Sequence, residues 1–167
     1  MAPKARWFWP LVLTVVLGDC ATKELAVERL SPAQVPHEIF GDAVQLTLTF
    51  NPGTAFGVTF GDWQRPLLIV ATLIALSVLA SLYRRAAPTD VPLGIALALV
   101  TGGAVGNLLD RLRSPRGVVD FIDLGLGATR FWTFNVADVG VTLGALLLAL
   151  LLWRAPSTDA QPISPRA

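Results

Sequence analysis

The chain has 167 residues, 53% of them hydrophobic and only 15% charged, with a formal net charge of +1. Soluble domains carry about 25% charged residues, so this balance points to a membrane protein, and the near-neutral charge gives no case for a nucleic-acid partner. A single cysteine, Cys20, excludes an intramolecular disulfide and a multi-cysteine metal site, and a single histidine, His37, argues against a histidine-based one.

Any chemistry must therefore come mainly from Asp, Asn, Lys and Arg, and no cofactor is expected. Lys4 and Arg6 open the chain, an uncharged stretch runs from Trp7 to Gly18, and Asp19 and Lys23 follow. Trp7, Phe8 and Trp9 fit an interfacial aromatic belt. The uncharged stretch is shorter than the about 20 residues a bilayer demands. It also fits a secretory signal, but no small-x-small cleavage site follows cleanly. If a helix continues to about Ala26, Asp19 and Lys23 fall at i,i+4 with the acid first, the favourable order for an ion pair. The reading is a first transmembrane helix over about 7–26 with a polar outer end. Leu17-Gly18-Asp19-Cys20 also looks like a lipobox, but Asp19 stands where a small residue belongs. A helical cysteine among apolar neighbours is the stronger reading.

Residues 27–65 are mixed and polar. Within them Ala43 to Phe50 alternates, with Val44, Leu46, Leu48 and Phe50 on one face and Gln45, Thr47 and Thr49 on the other. That period of two predicts a half-buried strand. Asn51-Pro52-Gly53-Thr54 suits a type II turn, and Ala55 to Phe60 is expected to return as a second strand of an extramembrane hairpin.

Pro66 to Tyr83 is a charge-free run ended by Arg84-Arg85, and Val91 to Leu109 is another. Both are long enough to span. Gly102 and Gly106 carry small-xxx-small spacing, as do Gly140 and Gly144, which lets helices approach closely in lipid. Residues 110–133 are charged and glycine-rich and are expected outside the membrane. Phe134 to Trp153 forms the last span, interrupted only by Asn135 and Asp138. The tail over 156–167 is expected to be disordered. The predicted fold is an α-helical integral membrane protein, a single domain over 1–155. It has four transmembrane helices (about 7–26, 66–83, 91–109, 134–153) and a small extramembrane β-hairpin or sheet.

In that topology both termini share one side. That side carries six basic residues (Lys4, Arg6, Arg84, Arg85, Arg154, Arg166) and the other seven (Lys23, Arg29, Arg65, Arg111, Arg113, Arg116, Arg130), so the total does not orient the chain. The Arg pair in the short 84–90 loop and the N-terminal Lys4 and Arg6 place the termini in the cytoplasm.

Asp19, Lys23, Asn51, Asn107, Asp110, Arg111, Asp120, Asn135 and Asp138 then collect at the outer face. With a helix from Phe134, Asp138 lies about 6 Å inside it. A carboxylate beside a membrane span is a functional-site hypothesis by default. Two carboxylates placed together cannot both ionise easily. The ionised member can take a proton from water while the protonated one polarises a peptide carbonyl, the logic of aspartic proteases. Composition alone does not choose which aspartates pair. Asp110, with Arg111 adjacent and Asn107 one turn back, suits a scaffold.

The chain resembles the lipoprotein signal peptidase (signal peptidase II) family. The resemblance rests on Asp19-x-x-Thr22-Lys23, Asn51-x-Gly53-x-Ala55-Phe56-Gly57, Gly102-Gly103-Ala104-x-Gly106-Asn107-x-x-Asp110-Arg111, Val118-Val119-Asp120-Phe121 and Phe134-Asn135-x-Ala137-Asp138, in order along nearly the whole chain. It implies that Asp120 and Asp138, not Asp123, are the catalytic pair. It makes Asp19, Lys23, Asn51, Gly53, Asn107, Asp110, Arg111 and Asn135 substrate-binding or site-supporting residues. It also implies a bacterial inner-membrane aspartic endopeptidase, expected as a monomer. The enzyme would cut prolipoprotein signal peptides just before a diacylglyceryl-modified cysteine, admitting the lipid between helices. Ser114-Pro115 departs from the family's expected shorter, more flexible link before Asp120. The competing readings are a small carrier using Asp19 and Asp138 as proton relays, and a lipoprotein modified at Cys20.

Overall fold

The structure, a computed structural model, describes residues 2–53 and 60–154. The expected tail disorder over 156–167 lies outside these residues, and so does the expected return strand apart from Phe60, which is not in a strand. The elements run α1 (Pro3–Arg29), β1 (Pro36–Phe40), β2 (Val44–Asn51), a short 3-10 turn (Gly61–Trp63), α2 (Gln64–Arg85), α3 (Val91–Arg113), β3 (Val118–Leu126), β4 (Thr129–Arg130) and α4 (Val136–Arg154).

Three helical segments are long and apolar enough to cross a membrane: Gly61–Arg85, Val91–Arg113 and Val136–Arg154. Helix α1 has 27 residues but does not meet the same test of composition. It carries Lys4, Arg6, Asp19, Lys23 and Glu24 along its length. Four spans were expected; length and composition identify three.

Helix α3 is the axis of the helical part, with α1 on one side, α4 on the other and α2 packed more lightly. Its glycines make this possible. A methyl group on Gly103 would strike the carbonyl oxygen of Ala137, and one on Gly106 would lie 2.5 Å from Asp19 Oδ2. Both helices therefore approach α3 at backbone distance, and the Asp19 carboxylate sits in the space that Gly106 leaves empty. Asp90 starts α3 by accepting from Leu93 N at 3.2 Å. Helix α3 runs past Leu109 to Arg113, because Asp110 and Arg111 find partners and need no loop to reach water. Arg65 closes its far end by donating from Nε to Arg111 O at 2.6 Å and from Nη2 to Leu112 O at 3.2 Å.

Strand β2 is where alternation places it, with Leu48 1% exposed and Leu46 and Phe50 against the same core as Ala26, Leu30 and Phe121. Its partners correct the expected hairpin. Among the described residues β2 pairs antiparallel with β1 before it and with β3, giving a four-stranded sheet in the order β1-β2-β3-β4. The register sets Thr49 opposite Asp120 and Asn51 opposite Val118, with an irregularity between Leu46 and Thr49. A second apolar core joins α1, α2 and α3 around Phe8, Leu79, Leu97 and Ala98. Phe8 is thus 5% exposed and stacks on Tyr83 at 4.0 Å between ring centroids, while Trp7 and Trp9 stay exposed. Only the two tryptophans fit the belt expected of all three rings.

Candidate active site

Asp120 and Asp138 reach one site from different elements, and a single asparagine joins them. Asp120 sits in β3 and is 2% exposed. Its Oδ1 accepts from Asn135 Nδ2 at 2.6 Å and its Oδ2 from Asn51 Nδ2 at 3.1 Å. Asn51 and Asp120 are diagonal neighbours on the β2–β3 ladder, within reach of a side-chain amide. Asn51 cannot turn its oxygen inward, because Gly53 N donates to its Oδ1 at 2.8 Å.

Asp138 lies in the first turn of α4, which begins at Val136 rather than Phe134. The depth expected for it is therefore smaller. Phe134 is spent on the sheet, exchanging backbone bonds with Ile122 at 2.8 and 3.0 Å. Asn135 and Asp138 then bond reciprocally: Asn135 N donates to Asp138 Oδ2 at 3.1 Å, and Asp138 N donates to Asn135 Oδ1 at 3.0 Å. This is the reciprocal geometry of a capping box, and it fixes the Asp138 carboxylate against the helix start. Asp138 Oδ1 remains, and accepts from Asn107 Nδ2 at 2.8 Å.

Behind the pair stands a charged layer. Lys23, 3% exposed, donates to Asn107 Oδ1 at 2.9 Å and is ion-paired with Asp19 Oδ2 at 2.7 Å and Asp110 Oδ2 at 2.9 Å. Asn135 Nδ2 also reaches Asn107 Oδ1, at 3.1 Å. Two donors on its oxygen oblige Asn107 to present its Nδ2 to Asp138. Asp19 Oδ1 accepts from Ala137 N at 2.9 Å, and Asp110 Oδ2 from Val119 N at 3.1 Å. Arg111 Nη1 donates to Asn107 O at 3.2 Å, while Arg111 Nε is buried without a partner among the described residues.

Every predicted site residue, from Asp19 through Asp138, belongs to this one network. Asp123 does not. Three residues from Asp120 in a strand puts it on the other face. There it accepts from Thr47 Oγ1 at 2.9 Å and pairs with Arg130 at 2.8 Å. Sequence reasoning missed the backbone donors Ala137 and Val119, which no side-chain pattern announces.

Burial pushes the Asp120 carboxyl up from its ordinary 3.8 to about 6. Donation from Asn51 and Asn135 opposes the rise, and the Asp138 carboxylate adds to it. Asp120 thus keeps its proton into a pH range where a free aspartate is ionised. An apolar groove of about 400 Å³ opens beside Asp138, lined by Phe131, Phe134, Val139, Thr142 and Leu143.

The family model described as signal peptidase (SPase) II matches residues 11–154. The lipoprotein signal peptidase of Nitratidesulfovibrio vulgaris (strain DP4) is 38% identical over 159 residues, covering 93% of this chain and 94% of that one. That of Desulforapulum autotrophicum is 41% identical over 145 residues, covering 82% and 86%. A solved structure described as a bacterial membrane enzyme is similar with a TM-score of 0.78 at 26% identity, covering 93% of this chain and 92% of that one. A second of the same description gives 0.77 at 28% identity, covering 86% and 90%.

Proposed function

The chain belongs to the signal peptidase II family, and from that premise we propose that it is an aspartic endopeptidase that removes signal peptides from bacterial prolipoproteins, with Asp120 and Asp138 as its catalytic pair. The observation that carries this reading is the bridge through Asn135, which binds Asp120 with its amide and Asp138 with its backbone and carbonyl oxygen. A buried carboxylate, Asp120, and a half-buried one, Asp138, are held by one residue, and the side chains and backbone groups that bond them among the described residues are uncharged amides, an arrangement suited to holding one proton between them instead of forming salt bridges.

In the reaction the ionised member takes a proton from water as the water attacks the scissile carbonyl. The protonated member donates to the carbonyl oxygen. Collapse of the tetrahedral diol breaks the C–N bond: one diol hydroxyl returns its proton to the ionised carboxylate as the other carboxyl gives its proton to the departing amine, and the pair is left with one proton as it began. Arg111 Nε, unsatisfied among the described residues, is a donor left for the substrate backbone.

The apolar groove beside Asp138 suits a substrate whose cysteine carries diacylglycerol, and cleavage falls just before that cysteine. We read α1 as the fourth span, because Asp19 and Lys23 neutralise one another inside the bundle instead of facing lipid. With α2, α3 and α4 this makes a multi-pass protein of the bacterial inner membrane. Both termini are then cytoplasmic and the site lies at the outer face. Residues 1–155 form one domain. One chain supplies the whole network, so the working unit is a monomer. The carrier reading needs carboxylates near the middle of a span; Asp138 is in the first turn of α4.

The test is cleavage of a diacylglyceryl-modified prolipoprotein by purified protein in detergent. Asp138→Asn or Asp120→Asn is expected to reduce the rate on the order of 10³-fold with folding retained. Cleavage by either variant at the wild-type rate removes that residue from the pair.

A further inference from the structure

The link between α3 and β3 does more than connect them. Ser114-Pro115-Arg116-Gly117 has the residues of a type I β-turn, with Ser first, Pro second and Gly fourth. Gly117 N donates to Ser114 O at 3.4 Å and Arg116 N to Ser114 Oγ at 3.1 Å. The turn leaves through Gly117 at φ +97°, a conformation side chains rarely allow.

Gly117 is also where the turn touches β2. A Cβ there would collide with the carbonyl of Asn51 and lie 2.7 Å from Pro52 Cα. On the other side of Asn51, the Arg116 guanidinium stands 3.8 Å from the centre of the Phe50 ring. The chain is therefore pinned on both sides of the residue whose amide reaches Asp120.

We propose that Gly117 is a positioning residue: its missing side chain lets the Ser114–Gly117 turn clamp the end of β2, so that Asn51 donates to Asp120. The proposal rests on the reading of Asp120 as half of the catalytic pair. Asn51 is one of two side-chain donors that favour ionised Asp120. The charged groups acting on Asp120 from the packed elements are Asp138 on α4, Lys23 on α1 and Arg111 on α3. None of these is altered by substitution at Gly117 or Arg116. Displacing Asn51 therefore moves the limb of the pH–rate profile governed by Asp120 to higher pH.

The experiment measures kcat and KM against pH with the full chain in detergent and a diacylglyceryl-modified prolipoprotein. Gly117→Ala, Asn51→Ala and the double variant are compared with wild type, with Asp120→Asn as control. Gly117→Ala is expected to lower kcat on the order of 10²-fold and to move the limb upward as Asn51→Ala does. The double variant is expected to be no worse than Asn51→Ala alone. An unmoved limb, or losses that multiply in the double variant, overturns the clamp. If Gly117→Ala does not fold, Arg116→Ala, at an exposed position, carries the test. It should cost a few-fold in kcat with the same upward shift, and an unmoved limb again overturns the proposal. Full activity of Asp120→Asn would instead remove the catalytic reading, whereas an inactive Asp120→Asn beside an unmoved limb in Gly117→Ala removes the clamp alone.

Discussion

Helix α1 buries two lysines, one near each end, and their surroundings differ in kind. Lys4 is 7% exposed and Lys23 3%. Lys4 Nζ donates to Tyr83 O at 2.7 Å and to Ala86 O, and stands 4.6 Å from the centre of the Tyr83 ring. Those carbonyls end α2, where no intrahelical donor remains and the helix dipole favours a cation. Lys23 instead faces Asp19, Asp110 and Asn107. The first arrangement ties α1 to the end of α2 and nothing further depends on it. The second continues through Asn107 to Asp138. Similar burial of the same side chain makes a staple in one place and part of the proposed site in the other. What separates them is whether the partners lead on to the proposed catalytic pair.

The largest expected effect lies in substituting each lysine by methionine. Lys23→Met leaves Asp19 and Asp110 facing one another without a cation, and breaking a buried pair in this way costs about 3–5 kcal/mol. Cleavage is expected to be lost as well, because Asn107 then has only Asn135 to hold its oxygen away from Asp138, and the layer behind the pair loses its cation. Lys4→Met leaves helix-end carbonyls unpaired, at about 1–3 kcal/mol, and the folded fraction should cleave within about twofold of wild type. Thermal unfolding in detergent beside the cleavage assay separates the two. If Lys4→Met loses cleavage while folded, the division between the two ends is wrong.

A smaller effect concerns pH. The Asp120 carboxyl is raised from 3.8 to about 6 in the folded protein. A carboxyl raised on folding favours the native state while it is protonated. Its contribution is complete below about pH 4 and is lost as pH rises through about 6, a change on the order of 2 kcal/mol. Unfolding temperature followed from pH 4 to 7 should show this decline in wild type. Asp120→Asn should flatten it and Lys4→Met should leave it intact. A decline that persists in Asp120→Asn would assign it to another group and empty the comparison of its electrostatic content.

The sequence made the Lys23 end far more legible than the Lys4 end. Asp19, Asn107, Asp120, Asn135 and Asp138 are polar residues beside apolar runs, and such residues must find partners, so their convergence could be anticipated. Lys4 sits among residues that look like an ordinary basic flank, and its partners are backbone carbonyls, which carry no residue signature. Strand β1 escaped for a related reason: it is an edge strand with most residues exposed, so its sequence has no reason to alternate. The ends of α3 and α4 shifted from expectation because charge was read as a boundary. Asp110 and Arg111 stay helical since Lys23, Val119 and Asn107 receive them, and Phe134 and Asn135 precede α4 since the sheet and the capping bonds use them.

Asp123 supplies the smallest effect and the sharpest form of the comparison. Like Lys23 it has charged company, in Arg130 at 2.8 Å, and Arg130 in turn pairs with Asp42 at 3.1 Å. Thr47 completes its coordination, and Asp42 also accepts from Gly127 N. These bonds tie β2, β3 and the β3–β4 turn together, but none of them reaches Asn51, Asn107 or Asn135. If charged partners alone made a site, Asp123 would matter as much as Asp120, which is three residues away on the same strand. If connection to the pair is what counts, Asp123→Asn weakens one partly exposed ion pair, at about 1 kcal/mol or less. Cleavage then stays within about threefold of wild type, and the pH limb set by Asp120 does not move. The measurement is kcat/KM against pH for Asp123→Asn beside Asp120→Asn. A loss in Asp123→Asn matching that of Asp120→Asn would show that the opposite face of β3 belongs to the site, and that the network drawn through Asn135 is incomplete.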